Sequence, residues 1–63
     1  MALYRLYLMD ERGRFRRREE FEVADDDAAI RRARKLRDRG GAELWCGKRK
    51  VLTFEAAAAD DRA

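Results

Sequence analysis

Few side chains in this sequence could do chemistry: one thiol at Cys46, three successive carboxylates at Asp25, Asp26 and Asp27, and two arginine-rich runs, RGRFRRR over 12–18 and RRARKLRDR over 31–39. A thiol becomes a nucleophile when a general base takes its proton, and the chain has no His. Cys46 therefore reads as a small buried apolar residue. The carboxylates suit a hard cation by type, but successive helical residues point about 100° apart and converge poorly on one ion. They fit the N-cap and first turn of a helix, where unpaired N–H groups and a partial positive charge favour them. Ser, Asn, Gln and Pro are absent as well as His, which closes most catalytic arrangements. The chain reads as non-enzymatic, with no catalytic residue, no cofactor and no metal site.

The arginines open a second reading. Aromatics on an antiparallel sheet can stack bases while neighbouring cations hold phosphates, and Arg14, Arg16, Arg18, Arg31, Arg32 and Lys35 are the candidates for that role. Against it, no RNP-like motif occurs, Glu20, Glu22 and Glu43 lie on or near the same surface, and 16 Lys+Arg face 13 Asp+Glu for a net charge of only +3. The cations over 31–39 fall on the solvent side of an amphipathic helix, and no second helix is present to complete a helix-turn-helix.

These side chains are positioned by elements that the pattern makes visible. LYRLYLM alternates as a strand, with Tyr4, Leu6 and Leu8 on one face and Leu3, Arg5, Tyr7 and Met9 on the other. Asp10-Glu11-Arg12-Gly13 supplies turn chemistry. In RFRRREEFEV, Phe15, Phe21 and Val23 share one parity while Arg14, Arg16, Arg18, Glu20 and Glu22 make the other face wet; Arg17 and Glu19 break the apolar parity and are expected at a rim or a β-bulge. The aspartates then start a helix of about three turns. Its stripe is Ala29, Ile30, Ala33 and Leu36, its opposite face Arg31, Arg32, Lys35 and Arg39, and its expected end Gly40-Gly41. A last hairpin pairs AELWC with RKVLTFE around Gly47-Lys48 as a type II′ turn, setting Leu44 opposite Val51 and Trp45 opposite Lys50. The expected fold is α+β: a ββαββ domain over 1–55 with a four-stranded antiparallel sheet and one helix on one face, followed by a frayed tail over 56–63.

One helix covers one face. Tyr4, Leu6, Leu8, Leu44, Cys46 and Val51 are expected to meet Ile30, Ala33 and Leu36. The reverse face then carries Leu3, Tyr7, Met9, Trp45, Leu52 and Phe54 among Arg5, Arg16, Arg18, Glu43 and Lys50. Each aromatic buries roughly 150–250 Å², so the group rivals the largest apolar patch of a typical monomer. Either long Arg and Lys stems lie over it, or a second copy does. At 63 residues a chain buries only about 60% of its unfolded surface, and small domains add disulfides, a metal or oligomerisation. One Cys and no His leave the third. The expectation is a homodimer with Tyr7, Trp45, Leu52 and Phe54 at or near the interface.

Arg5 interrupts the N-terminal apolar residues, so no signal-peptide core is read there. No apolar run approaches a membrane span. A lone Cys fits a reduced, cytoplasmic setting. The passages YRLYLMDERGRF, FEVADDDAAIRRAR and ELWCGKRKV together resemble short alphaproteobacterial proteins of uncharacterised function, in which FEA-x-DD-x-AI and ELW-x-G-x-R-x-V patterns occur. The likeness spans nearly the whole chain and is most specific at Glu43-Leu44-Trp45, Gly47, Arg49 and Val51. It implies the same fold and boundaries and no particular chemistry. The extra arginines at Arg16 to Arg18 and along the helix depart from that pattern.

Overall fold

Apolar alternation is cleanest in the first strand, and that strand lies inside the sheet. In the computed structural model, which describes residues 1–37 and 39–56, the elements run β1 (Ala2–Met9), β2 (Phe15–Val23), α1 (Asp26–Leu36), β3 (Ala42–Cys46) and β4 (Arg49–Phe54). The strands form one antiparallel sheet in the order β2-β1-β3-β4. The ββαββ architecture expected from two hairpins and a helix is therefore the one found. Of the expected tail, residues 57–63 lie outside the described residues.

Both turns follow from their residues. Asp10 Oδ1 accepts from the backbone N–H groups of Arg12 (2.9 Å) and Arg14 (2.8 Å), and Gly13 takes φ +86° to close the loop. Gly47 has φ +62° whereas Lys48 has no positive φ, as a type II′ turn requires. The helix starts where the Asp25 side chain accepts from the Ala28 N–H at 2.9 Å, with Asp26 and Asp27 in its first turn and Arg34 and Lys35 in its last, the charge order that the helix dipole favours.

The helix stops earlier than expected. Arg37 is already extended (φ −76°, ψ 154°), its N–H still bonded to the Ala33 carbonyl, so α1 ends at Leu36 and not at Gly40-Gly41. Those glycines serve close approach instead. A Cβ on Gly40 would lie 1.7 Å from the Met9 carbonyl oxygen, and one on Gly41 2.9 Å from the Phe54 carbonyl oxygen. The Met9 N–H bonds the Gly41 carbonyl at 2.9 Å, so this segment is sewn to the end of β1.

Between helix and sheet lie Tyr4, Leu6, Leu8, Ala29, Ala33, Ala42, Leu44 and Phe54, all buried, flanked by half-buried Ile30, Leu36, Cys46, Val51 and Leu52. The helix residues that sink deepest are the small Ala29 and Ala33, which let the backbone sit low over the sheet. Larger Ile30 and Leu36 pack at its sides.

Two register shifts change which side chains share a face. In β4, Trp45 pairs with Lys50 as expected, but Leu44 pairs with Leu52, leaving Val51 as an extra residue. Paired residues lie on the same face. Leu52 and Phe54 therefore belong to the helix side with Leu44 and Ala42, which corrects their expected place beside Trp45 and replaces the expected Leu44–Val51 pair. In β2, Leu8 pairs with Arg17 and Met9 with Phe15, so Arg16 is extra. The shift moves Phe15 to the open face, away from Phe21 and Val23, and leaves it 64% exposed. Arg17 and Glu19, expected at a rim or bulge, sit next to that bulge and pair with each other at 3.1 Å.

Candidate interaction surfaces

With the register known, the face opposite the helix carries Leu3, Tyr7, Met9, Phe15 and Trp45 among Arg5, Arg18, Glu20, Glu22, Glu43 and Lys50. Leu3 is 44% exposed, and Tyr7, Met9 and Trp45 are half-buried. The half-burial of Trp45 is local. Its indole N–H donates to Glu43 Oε1 at 3.1 Å, and Lys50 Nζ lies 5.6 Å from the ring centroid. Arg5 pairs with Glu20 at 3.1 Å, and Arg18 reaches the same carboxylate at 3.7 Å. Lys50 and Glu43 stand 3.9 Å apart. Side-chain stems thus cover part of these aromatics, as one reading of the sequence anticipated, while Leu3 and Phe15 keep large exposed surfaces. Of the four residues expected at an interface, Tyr7 and Trp45 lie on this face and Leu52 and Phe54 lie under the helix. Leu3 and Phe15 join the first two. Phe15 was hidden from sequence reasoning by the bulge.

The candidate cations are divided. Arg14 and Arg16 line a concavity of about 500 Å³ with Asp10, Glu11, Arg12 and Arg39. Arg31, Arg32 and Lys35 line a second, of about 280 Å³, against Val23 and Ala28. Arg18 lies on the open face, paired with Glu20. The Arg32 guanidinium sits over the Phe21 ring, 5.5 Å from its centroid, so part of its role is to shield the core edge. Only Arg14 and Arg16 among the six share the first concavity; Arg12 and Arg39, which sequence reasoning did not single out for binding, complete it.

The aspartate run is used structurally. Asp25 caps the helix, and Asp26 accepts a 2.6 Å hydrogen bond from the Tyr4 hydroxyl and two bonds from the Arg49 guanidinium at 3.1 and 3.2 Å. This cluster ties the start of α1 to β1 and to the beginning of β4. No sequence signal marks it, because the three residues meet only through the sheet register. Among the described residues no cluster of His, Cys, Asp or Glu has the makings of a metal site. Cys46 is free and half-buried against the core, less enclosed than expected.

The cluster gives folding a pH signature. Hydrogen bonding to Asp26, aided by burial, pushes the Tyr4 phenol up to about 12 from its ordinary 10.0. Arg49, and then Tyr4, hold the Asp26 carboxyl below its usual value. The Arg14 backbone N–H foremost does the same for Asp10. A raised acid keeps its proton longer when folded, so the stabilisation from Tyr4 is complete below pH 10 and is lost as the pH rises toward about 12. The depressed carboxylates behave oppositely, stabilising above about pH 4 and losing that contribution on acidification. Thermal melting followed against pH is expected to fall at both ends, and Tyr4→Phe to flatten the alkaline limb. An unchanged alkaline slope in that variant would rule out the link.

Comparison with protein-family models, with curated proteins and with solved structures gives no match, so both surfaces are interpreted from their own chemistry. No helix among the described residues is long and apolar enough to cross a membrane.

Proposed function

We propose that the protein is a non-enzymatic, self-associating interaction domain of the bacterial cytoplasm, in which two copies meet through the sheet face opposite the helix. The observation that carries this reading is the composition of that face. Leu3 and Phe15 are exposed, Tyr7, Met9 and Trp45 are covered only in part by neighbouring side chains, and the charges between them balance, with Arg5, Arg18 and Lys50 against Glu20, Glu22 and Glu43. A neutral face of alternating sign can meet itself about a two-fold axis without net repulsion, cation to anion, whereas a polyanion gains little there. The free thiol of Cys46 supports the reduced setting.

Size sets the strength. Four strands about 4.8 Å apart, some seven residues long on average, give roughly 400–450 Å² in projection, the low end of specific interfaces even after side-chain relief is added. The dimer is therefore expected to dissociate on dilution through the micromolar range. Sedimentation equilibrium over a concentration series tests this, with Leu3→Glu and Phe15→Glu expected to weaken association by about tenfold or more. A concentration-independent monomer, or a dimer indifferent to both changes, contradicts the proposal.

A further inference from the structure

The order of side chains across the strands says how two copies fit together. We propose that the second copy is related to the first by a two-fold axis running along the strands, midway between β1 and β3. Each β2 then lies over the partner's β4, and each β1 over the partner's β3. The arrangement rests on the self-association proposed above and adds which groups meet across it.

Paired residues form rows across the sheet. From β2 to β4 one row of the open face is Glu20, Arg5, Trp45 and Lys50, and the next is Arg18, Tyr7, Glu43 and Thr53. The half-turn lays each row over its own reverse. Glu20 then faces the partner's Lys50, Arg5 faces the ring of the partner's Trp45, Tyr7 faces the carboxylate of the partner's Glu43, and Arg18 faces the hydroxyl of the partner's Thr53. Every cation meets an anion, a ring or a hydroxyl. One such contact already exists inside each copy, where Lys50 Nζ lies 5.6 Å from the Trp45 ring centroid.

Two further charges decide between this axis and its rival. Neither Glu22 nor Lys48 has an ion-pair partner among the described residues. Glu22 pairs with Leu3 one row beyond Arg5, and the Gly47-Lys48 turn stands at the same level, two residues past Trp45 and Lys50. The half-turn brings Leu3 over the partner's Gly47, which has no side chain, and Glu22 toward the partner's Lys48. An axis crossing the strands between the two rows would instead set Glu22 on Phe15 and Lys50 on Thr53, desolvating two charges that gain no opposite charge. The border residues are free to reach across. Glu20 holds Arg5 at 3.1 Å and Arg18 at 3.7 Å yet stays 40% exposed, and the Lys50–Glu43 contact is a loose 3.9 Å. Stacked sheets cross at roughly 30°, which displaces a border strand about 7 Å from the axis by only about 4 Å, within the span of Glu and Lys side chains.

Sedimentation of charge-reversed variants tests the arrangement at an ionic strength of about 0.15 M, where net charge is screened beyond about 8 Å. Lys50→Glu and Glu20→Lys are each expected to weaken self-association by about tenfold or more, since each sets like charges opposite one another twice per dimer. An equimolar mixture of the two is expected to associate at least about fivefold more tightly than either alone, because both contacts are then cation to anion. Within one copy the two positions stand three strand spacings apart, about 14 Å, too far to compensate each other. A second readout leaves every row intact: spin labels on Arg12→Cys in a chain carrying Cys46→Ala. The proposed axis brings both β1–β2 turns to the same end of the dimer, within about 20 Å, whereas the crossing axis sends them to opposite ends, about 30 Å apart. A mixture no tighter than the separate variants, or the long distance, overturns the arrangement and leaves self-association standing. A wild type that stays monomeric overturns both. Circular dichroism of each variant reports the fold, and the label distance needs neither charge reversal.

Discussion

Gly40→Ala is expected to remove much of the chain's folding stability. The new Cβ would stand 1.7 Å from the Met9 carbonyl oxygen and 2.8 Å from the Asp10 carbonyl carbon. Both obstacles are backbone, and neither can swing aside as the end of a side chain could. Relief requires moving residues 39–41 off β1, which breaks the Met9 N–H to Gly41 carbonyl bond and misplaces β3 at its start. A cost above about 4 kcal/mol is expected, in the range reserved for a few specific mechanisms. A domain of 63 residues holds only roughly 3–9 kcal/mol in total. Circular dichroism and urea titration read the result directly; a variant within about 1 kcal/mol of the parent would show that the close approach is not real. At Gly13 and Gly47 the reason for glycine is different. A Cβ there meets nothing within 4 Å, and the constraint is positive φ, so alanine at those turns strains the chain without a clash and is expected to be milder.

Leu44→Ala is the next largest effect. Leu44 is fully buried, and β3 hands it to Leu6 on one side and Leu52 on the other. Its removal opens a void in the middle of the sheet's covered face, far from any loop that could collapse into it. Large-to-small changes at such sites cost about 2–5 kcal/mol, and with so little area elsewhere the upper half of that range is expected. Leu6→Ala should behave alike, since Leu6 is the other large, fully buried side chain. Leu44→Met, which keeps the volume, is expected to lose less than about 1.5 kcal/mol. Equilibrium denaturation with unchanged m-values is the measurement. A Leu44→Ala loss no larger than that of Leu44→Met would place the core elsewhere.

What could be read from the sequence and what could not divide along a physical line. β1, the two turns and the helix start each depend on local chemistry: strict alternation from Leu3 to Met9, Asp10 with Gly13, Gly47 before Lys48, and Asp25 as cap. Those were legible. The faces of β2 and β4 were not, because each contains one residue without a partner, Arg16 and Val51. A one-residue slip reverses every side chain beyond it. Phe15 thereby moved into the open and Leu52 and Phe54 moved under the helix. The broken parity at Arg17 and Glu19 hinted at a bulge in β2 without locating its extra residue, and nothing in RKVLTF announces the slip in β4, since a bulge is chosen by how the neighbouring strand and the core fit together. The helix end misled for a related reason. Gly40-Gly41 resembles a helix stop, yet its real constraint is the nearness of β1 and β4, which only the assembled chain supplies. The same holds for the arginines, whose grouping into two hollows depends on where the 39–41 segment docks.

The extra residues at Arg16 and Val51 have one more consequence. They fall on β2 and β4, the two strands at the borders of the sheet. A border strand with even spacing invites the addition of a foreign strand, and from there endless fibre growth; a kink of this kind spoils the template. Charged side chains along Arg16 to Glu20 and at Arg49 and Lys50 add repulsion at the same margins. A chain this short and this aromatic, kept at high concentration, should therefore stay dispersed instead of forming amyloid.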